Sequence, residues 1–148
     1  MAQIDFYLLA HDDLTGQMLF CARLCEKAMN QEHRVHVYTG NAMETRALDE
    51  TLWSFRDDAF VPHRCVDDAA TVPEPVTLSA ETARSAHADM LILTRPALPE
   101  HWQPYRRVAL LIGPDERLLQ ASRQLYRQLQ QPEHTLNIHD LRRKQASP

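Results

Sequence analysis

Four groups of side chains in this sequence have the types and spacing to do chemistry. His11-Asp12-Asp13 sets an imidazole beside two carboxylates, the ingredients of an acid/base or hard-cation site. His63, Cys65, Asp67 and Asp68 lie within six residues and carry ligands that borderline or hard cations accept. Arg123, Tyr126 and Arg127 place two guanidinium groups and a phenol at helical spacing, which suits a peptide carboxylate next to an apolar side chain. Trp53, Phe55 and Phe60 gather between Leu48 and His63, flanked by Asp49, Glu50, Asp57 and Asp58. Those acids resist burial of the whole segment, and aromatics held near a surface are efficient anchors for a partner.

Most catalytic readings fail on pattern. The chain has three glycines, Gly16, Gly40 and Gly113, so neither G-x-G-x-x-G nor G-x-x-x-x-G-K-[ST] can be written. Carboxylates at Asp12 and Asp13 would repel a phosphate from the helix start that follows them. No serine sits in a G-x-S-x-G elbow, and Cys65 has only its nearness to His63 in its favour. The spacing of His63, Cys65, Asp67 and Asp68 matches no zinc finger, and turn chemistry accounts for polar residues after Pro62. Asp57-Asp58 and Asp67-Asp68 are adjacent pairs whose side chains diverge, as on solvated loops. Cys21 and Cys25 share a helix face and read as small core residues. Arg123 and Arg127 also have a plain reading, a solvated basic face with Tyr126 packed beneath it.

The elements that must position these groups follow from periodicity. Residues 3–9 read as a buried strand interrupted at Asp5, with Asp13 or Thr15 capping a helix over Leu14 to Asn30. Residues 34–38 alternate with period two and give a second strand. Ala42 to Leu52 is a second helix with Met43, Ala47, Leu48 and Leu52 on one face. The proline-bearing stretch from Phe55 to Glu81 is irregular apart from a short strand at 76–78. Met90–Thr94 and Arg107–Ile112 are continuous apolar runs, the mark of strands covered on both faces. Asp115 caps a last helix from Glu116 to Gln131, and a final strand follows at 135–138. Alternating strands and helices of this kind predict an α/β, Rossmann-like three-layer sandwich with a largely parallel central sheet and no phosphate-binding loops. One domain over residues 1–140 and a polar, flexible tail over 141–148 are expected.

Composition narrows the partners. With 148 residues, 44% apolar and 24% charged, the balance is globular, and a net charge of −4 disfavours broad contact with a phosphate backbone. Direct strong nucleic-acid binding is therefore not expected. No apolar run reaches the ~20 residues of a membrane span, and the first residues lack a signal-peptide layout, so a cytoplasmic location is expected.

The residues Leu48-Asp49-Glu50-Thr51-Leu52-Trp53, followed at short range by Phe60-Val61-Pro62-His63, resemble the chi subunit of bacterial DNA polymerase III. The opening Ile4 to Leu9, the apolar strand at Met90–Leu93, Arg123-Gln124-Leu125-Tyr126-Arg127 and Leu136-Asn137 fit the same pattern. The resemblance implies a Rossmann-like accessory subunit of the polymerase holoenzyme, without catalytic activity, cofactor or metal. It implies a psi-subunit surface at Trp53, Phe60, Val61, Pro62 and His63, for which a repair helicase competes in some members. It also implies that Arg123, Tyr126 and Arg127 receive the acidic, Phe-ending C-terminal tail of single-stranded-DNA-binding protein. Leu119 stands where the family pattern has a basic residue, and Arg117 is the candidate substitute. The alternative from another class is an α/β hydrolase-type enzyme with a nonstandard acid or metal site near His11–Asp13 or His63–Asp68.

Overall fold

Two apolar strands run side by side through the centre of the molecule. In the computed structural model, which describes residues 2–66, 72–85 and 88–142, these are β5 (Met90–Leu93) and β6 (Arg107–Ile112). Their side chains are buried on both faces, apart from the partly exposed Arg107. Around them lie β1 (Ala2–Leu8), β2 (Val35–Tyr38), β3 (His63–Cys65), β4 (Val76–Ser79) and β7 (His134–Asp140). The seven strands form one sheet in the order β3-β4-β2-β5-β6-β1-β7, and every pair is parallel. The expected parallel sandwich is thus realised in full.

Helices cover both faces. On one side, α1 (Leu14–Asn30) and α2 (Ala42–Ser54) press Met18, Cys21, Cys25, Leu48 and Leu52 against Val37, Ile92 and Leu111. On the other, α3 (Glu116–Gln128) packs Leu119 against a cluster containing Phe6, Leu91, Val108 and Leu110. Burying each such leucine or isoleucine stabilises by about 1.5–3 kcal/mol. α1, α2 and α3 each start on a side-chain cap: Asp13 accepts from Gly16 N, Asn41 from Met43 N and Glu44 N, and Asp115 from Arg117 N and Leu118 N. Gly40 precedes the second cap at φ +70°, where a side chain would be strained.

Asp5, the interruption in β1, is buried and satisfied across the sheet. It accepts from Asn137 Nδ2 at 3.1 Å, His139 Nε2 at 3.0 Å and Gln3 Nε2 at 3.3 Å, with Arg107 at 3.7 Å. A polar residue inside the core therefore fixes the register of β7 on β1.

The structure departs from expectation at element ends. α2 continues through Trp53 to Ser54, so that tryptophan stands on a helix instead of after one. α3 stops at Gln128 with Leu129 as its cap, earlier than Pro132 demanded, and β7 is longer at both ends than 135–138. β3 was not foreseen: three residues, two of them exposed, carry too little pattern to read as a strand. Of the expected tail, Leu141 packs against the core on the α1–α2 side of the sheet, while 143–148 lie outside the described residues.

Candidate functional site

Two surfaces gather the residues singled out above, and they sit at opposite edges of the sheet. The first is built by the last turn of α2 and the loop that returns to β3. Leu48 and Leu52 face the core, which turns Asp49 and Trp53 to the side of the helix where that loop passes. Val61 is buried at 1% exposure and anchors the loop, and Arg56 ties it down by pairing with Asp58 and with Glu26 of α1 at 2.7 and 2.8 Å. His63 then enters β3 with its side chain 1% exposed. Its Nδ1 lies 2.7 Å from Val61 O and its Nε2 lies 2.8 Å from Asp49 Oδ1. The Trp53 ring rests 4.7 Å from the His63 ring and 6.3 Å from Phe60.

The resulting platform is apolar and open. Trp53 is 59% and Phe60 66% exposed, well above what a core aromatic shows. Of the five residues named for this surface, Trp53, Phe60 and Pro62 meet solvent, whereas Val61 and His63 lie beneath and hold them. Phe55, the third aromatic, is half-buried against the α1–α2 core. In the sequence Asp49 is one of the flanking acids, and its partnership with His63 depends on a helix-to-strand contact that spacing alone does not reveal.

The second surface is a cleft of about 320 Å³ between α3, β1 and β7. Phe6, Leu8, Leu119 and Ile138 supply apolar walls, while Arg123, Arg127 and Arg142 bring cationic groups to it. α3 delivers these residues because Leu119, Ser122 and Leu129 face the sheet, which leaves Arg123 and Arg127 on the flank. Tyr126 is pinned edge-on against Phe6 at 5.6 Å. Arg123 makes a loose pair with Glu116 at 3.5 Å, and Arg142 holds Asp140 in a two-toothed grip at 2.8 and 3.0 Å. That grip raises the Arg142 pKa further, so its charge is permanent. Arg127 makes no ion pair among the described residues.

Arg123, Tyr126 and Arg127 are thus brought together as expected of neighbours on one helix. Arg117 is exposed at the start of α3 and does not line the cleft. Leu119, which replaces a basic residue of the family pattern, is buried in the cleft wall. Nothing in the sequence marks Arg142, which follows a strand and opens a polar run. Only the pairing of β7 with β1 carries it to the α3 side.

Of the remaining chemical groups, Asp13 and Cys21 are used structurally. Asp13 caps α1, and a Cβ on Gly16 would come within 2.6 Å of the His11 ring, so the helix start is filled by its own chain. A phosphate there would meet the Asp13 carboxylate. A hydrogen bond to Cys25, together with burial, raises the Cys21 thiol well above its ordinary pKa, which opposes thiolate chemistry. Among the described residues no group of three or more His, Cys, Asp or Glu is placed to hold a metal. Asp67 and Asp68 lie outside the described residues.

The architecture is that of a Rossmann-like α/β sandwich whose surface carries an exposed aromatic platform and an arginine-lined cleft. The sequence profile of the family described as DNA polymerase III chi subunit, HolC, matches residues 1–137, and the chain belongs to that family. It is 31% identical over 143 residues to the DNA polymerase III subunit chi of Pseudomonas aeruginosa, covering 97% of this chain and 99% of that protein. The subunit chi of Escherichia coli K12 is 26% identical over 132 residues, covering 86% and 90%. That of Haemophilus influenzae is 24% identical over 127 residues, covering 84% and 88%.

Proposed function

We propose that this protein is a non-catalytic accessory subunit of DNA polymerase III that couples the clamp-loader complex to coated single-stranded DNA. The Trp53–Phe60 platform would dock the psi subunit, or a repair helicase competing for the same surface. The cleft on α3 would receive the acidic C-terminal tail of single-stranded-DNA-binding protein, its terminal aromatic ring between Phe6, Leu119 and Ile138 and its carboxylates on Arg123, Arg127 and Arg142.

The observation that carries the reading is the pairing of an apolar cleft with a cationic rim. Apolar walls alone would take any greasy side chain. Three arginines select an anionic chain end, and guanidinium groups bind carboxylates with two parallel hydrogen bonds. Each exposed ion pair contributes only ~0.2–1 kcal/mol, so single tails bind modestly and salt weakens them. Many tails displayed on one coated strand would restore affinity by raising the effective concentration. A net charge of −4 agrees with a protein that reaches DNA through other proteins, and no helix among the described residues is long and apolar enough to cross a membrane. A cytoplasmic location belongs to the same reading.

Titration with a short acidic peptide ending in Phe, at low and high salt, tests the tail site. Saturable binding that weakens with salt and is lost on Arg127→Glu supports the site. Binding that ignores both changes refutes it. Retention of the psi partner by the same Arg127→Glu variant would separate the two surfaces.

A further inference from the structure

We propose that the outer edge of β7 pairs with the bound acidic peptide, so that the peptide joins the sheet as an eighth strand. This rests on the reading of the α3 cleft as an acidic-tail site and adds the backbone to what recognises the tail.

β7 is hydrogen-bonded to β1 alone, which leaves its other edge without a strand partner among the described residues. The register says which groups face outward. Leu141 N donates to Leu8 O, so the backbone of residues 135, 137 and 139 turns towards β1. Leu136 and Ile138 therefore direct their N–H and C=O groups away from the sheet. Ile138 also lines the cleft with its side chain, 56% exposed. Outward backbone groups and the apolar cleft thus meet at Ile138, beside the position that an added strand would take about 4.8 Å from β7.

Natural edge strands are protected by lysine, proline, bulges or short length. The opposite edge, β3, has three residues. β7 has seven, His-Thr-Leu-Asn-Ile-His-Asp, with none of those residues. An edge left long and, among the described residues, uncovered beside an apolar cleft is the arrangement that strand addition uses, with main-chain bonds giving affinity and alternate side chains giving specificity.

Charge selects the occupant. Arg123, Arg127 and Arg142 line the cleft; the acids nearby, Glu116 and Asp140, are each paired with one of them. Arg127 remains for the ligand. The chain that fits is acidic and extended, with apolar side chains at alternate positions facing the cleft. A second copy of β7 would bring its own Arg127 and Arg142 to the same edge, which the charge disfavours.

The test compares Ile138→Pro with Ile138→Val in the full-length protein, using a fluorescent acidic peptide ending in Phe. Proline removes the outward N–H but no bond to β1, which edge strands tolerate; valine keeps the amide and most of the apolar contact. We expect Ile138→Pro to bind about tenfold more weakly than Ile138→Val, as one lost hydrogen bond of about 1.4 kcal/mol requires. Equal affinity of the two variants overturns the strand pairing. Hydrogen exchange on the parent gives a second readout: slowed amides at Leu136 and Ile138 with peptide support the pairing. Binding that is lost on Arg127→Glu yet leaves both amides unprotected overturns the pairing while the cleft reading stands. No binding by the parent overturns both, and a dimer that the peptide does not dissolve assigns the edge to a second copy.

Discussion

His63 and Asp49 meet at 2.8 Å beneath the Trp53 ring, joining the first residue of an edge strand to the last turns of a helix. The opposite ring nitrogen faces Val61 O at 2.7 Å, so both nitrogens of a buried imidazole are met by acceptors. The exposed aromatics rest on a group that cannot rotate without breaking one of these bonds. A partner would then find Trp53 already in place, and less side-chain entropy is lost on binding.

Asp49→Ala should therefore act twice. Leaving Nε2 of a buried ring without a partner should cost about 1–3 kcal/mol in stability. Trp53 emission should also shift and broaden as its support loosens. Denaturant unfolding and fluorescence of the folded state measure the two effects. An unchanged spectrum would mean that Trp53 is held by Phe60 alone.

Trp53→Ala should cost only about 0.5–1.5 kcal/mol, the worth of its ring contacts, because the side chain is already largely in water. Leu52→Ala, one residue earlier and 1% exposed, should cost about 2–5 kcal/mol. If Trp53→Ala melts as low as Leu52→Ala, the platform is part of the core and its docking role fails. A normal melt with lost psi capture supports docking.

Glu116→Gln should strengthen tail binding. The carboxylate competes for Arg123 across 3.5 Å, and both side chains are exposed. Releasing such a pair should raise affinity for an acidic peptide by about two- to fivefold at low salt, fading as salt is added. Weaker binding by this variant would show that Glu116 instead orients Arg123.

Tyr105 sets an alkaline limit. Burial raises its phenol to about 12, although a hydrogen bond from the Ser85 backbone acts in the opposite sense. Its hydroxyl donates to Ala83 O. The unfolded value is about 10. A raised folded pKa means that this stability is whole below about pH 10 and disappears as pH climbs through about 12. Tyr105→Phe should melt lower near neutrality yet lose less stability between about pH 9 and 12. Parallel melting curves for the two proteins would refute the assignment.

What was legible in the chain was what repeats locally. The apolar runs at 90–93 and 107–112 identify buried parallel strands, and Asp115, with Asp13 or Thr15 before α1, identifies helix starts, because each signal is complete within a few residues. The grouping of Arg123, Tyr126 and Arg127 was legible for the same reason. Arg142 was not, since it reaches the cleft only through the pairing of β7 with β1, and the Asp5–Asn137 bond that fixes that pairing spans 132 positions. His63 belongs to the expected docking surface only by its place in the family motif; the three-residue strand β3, too short to signal itself, turns its side chain inward.

The order of the strands has a mechanical consequence. Seven strands leave six gaps, so Trp53 near β3 and Ile138 on β7 are separated by a sheet about 29 Å wide. A load applied between these points runs across the strands, along their hydrogen bonds, and would peel the sheet from an edge instead of shearing all its bonds at once. The weakest seam under such a load would be an outer one. At β7 that seam is cross-stitched by Asp5, whose carboxylate grips Asn137 and His139 from the neighbouring strand.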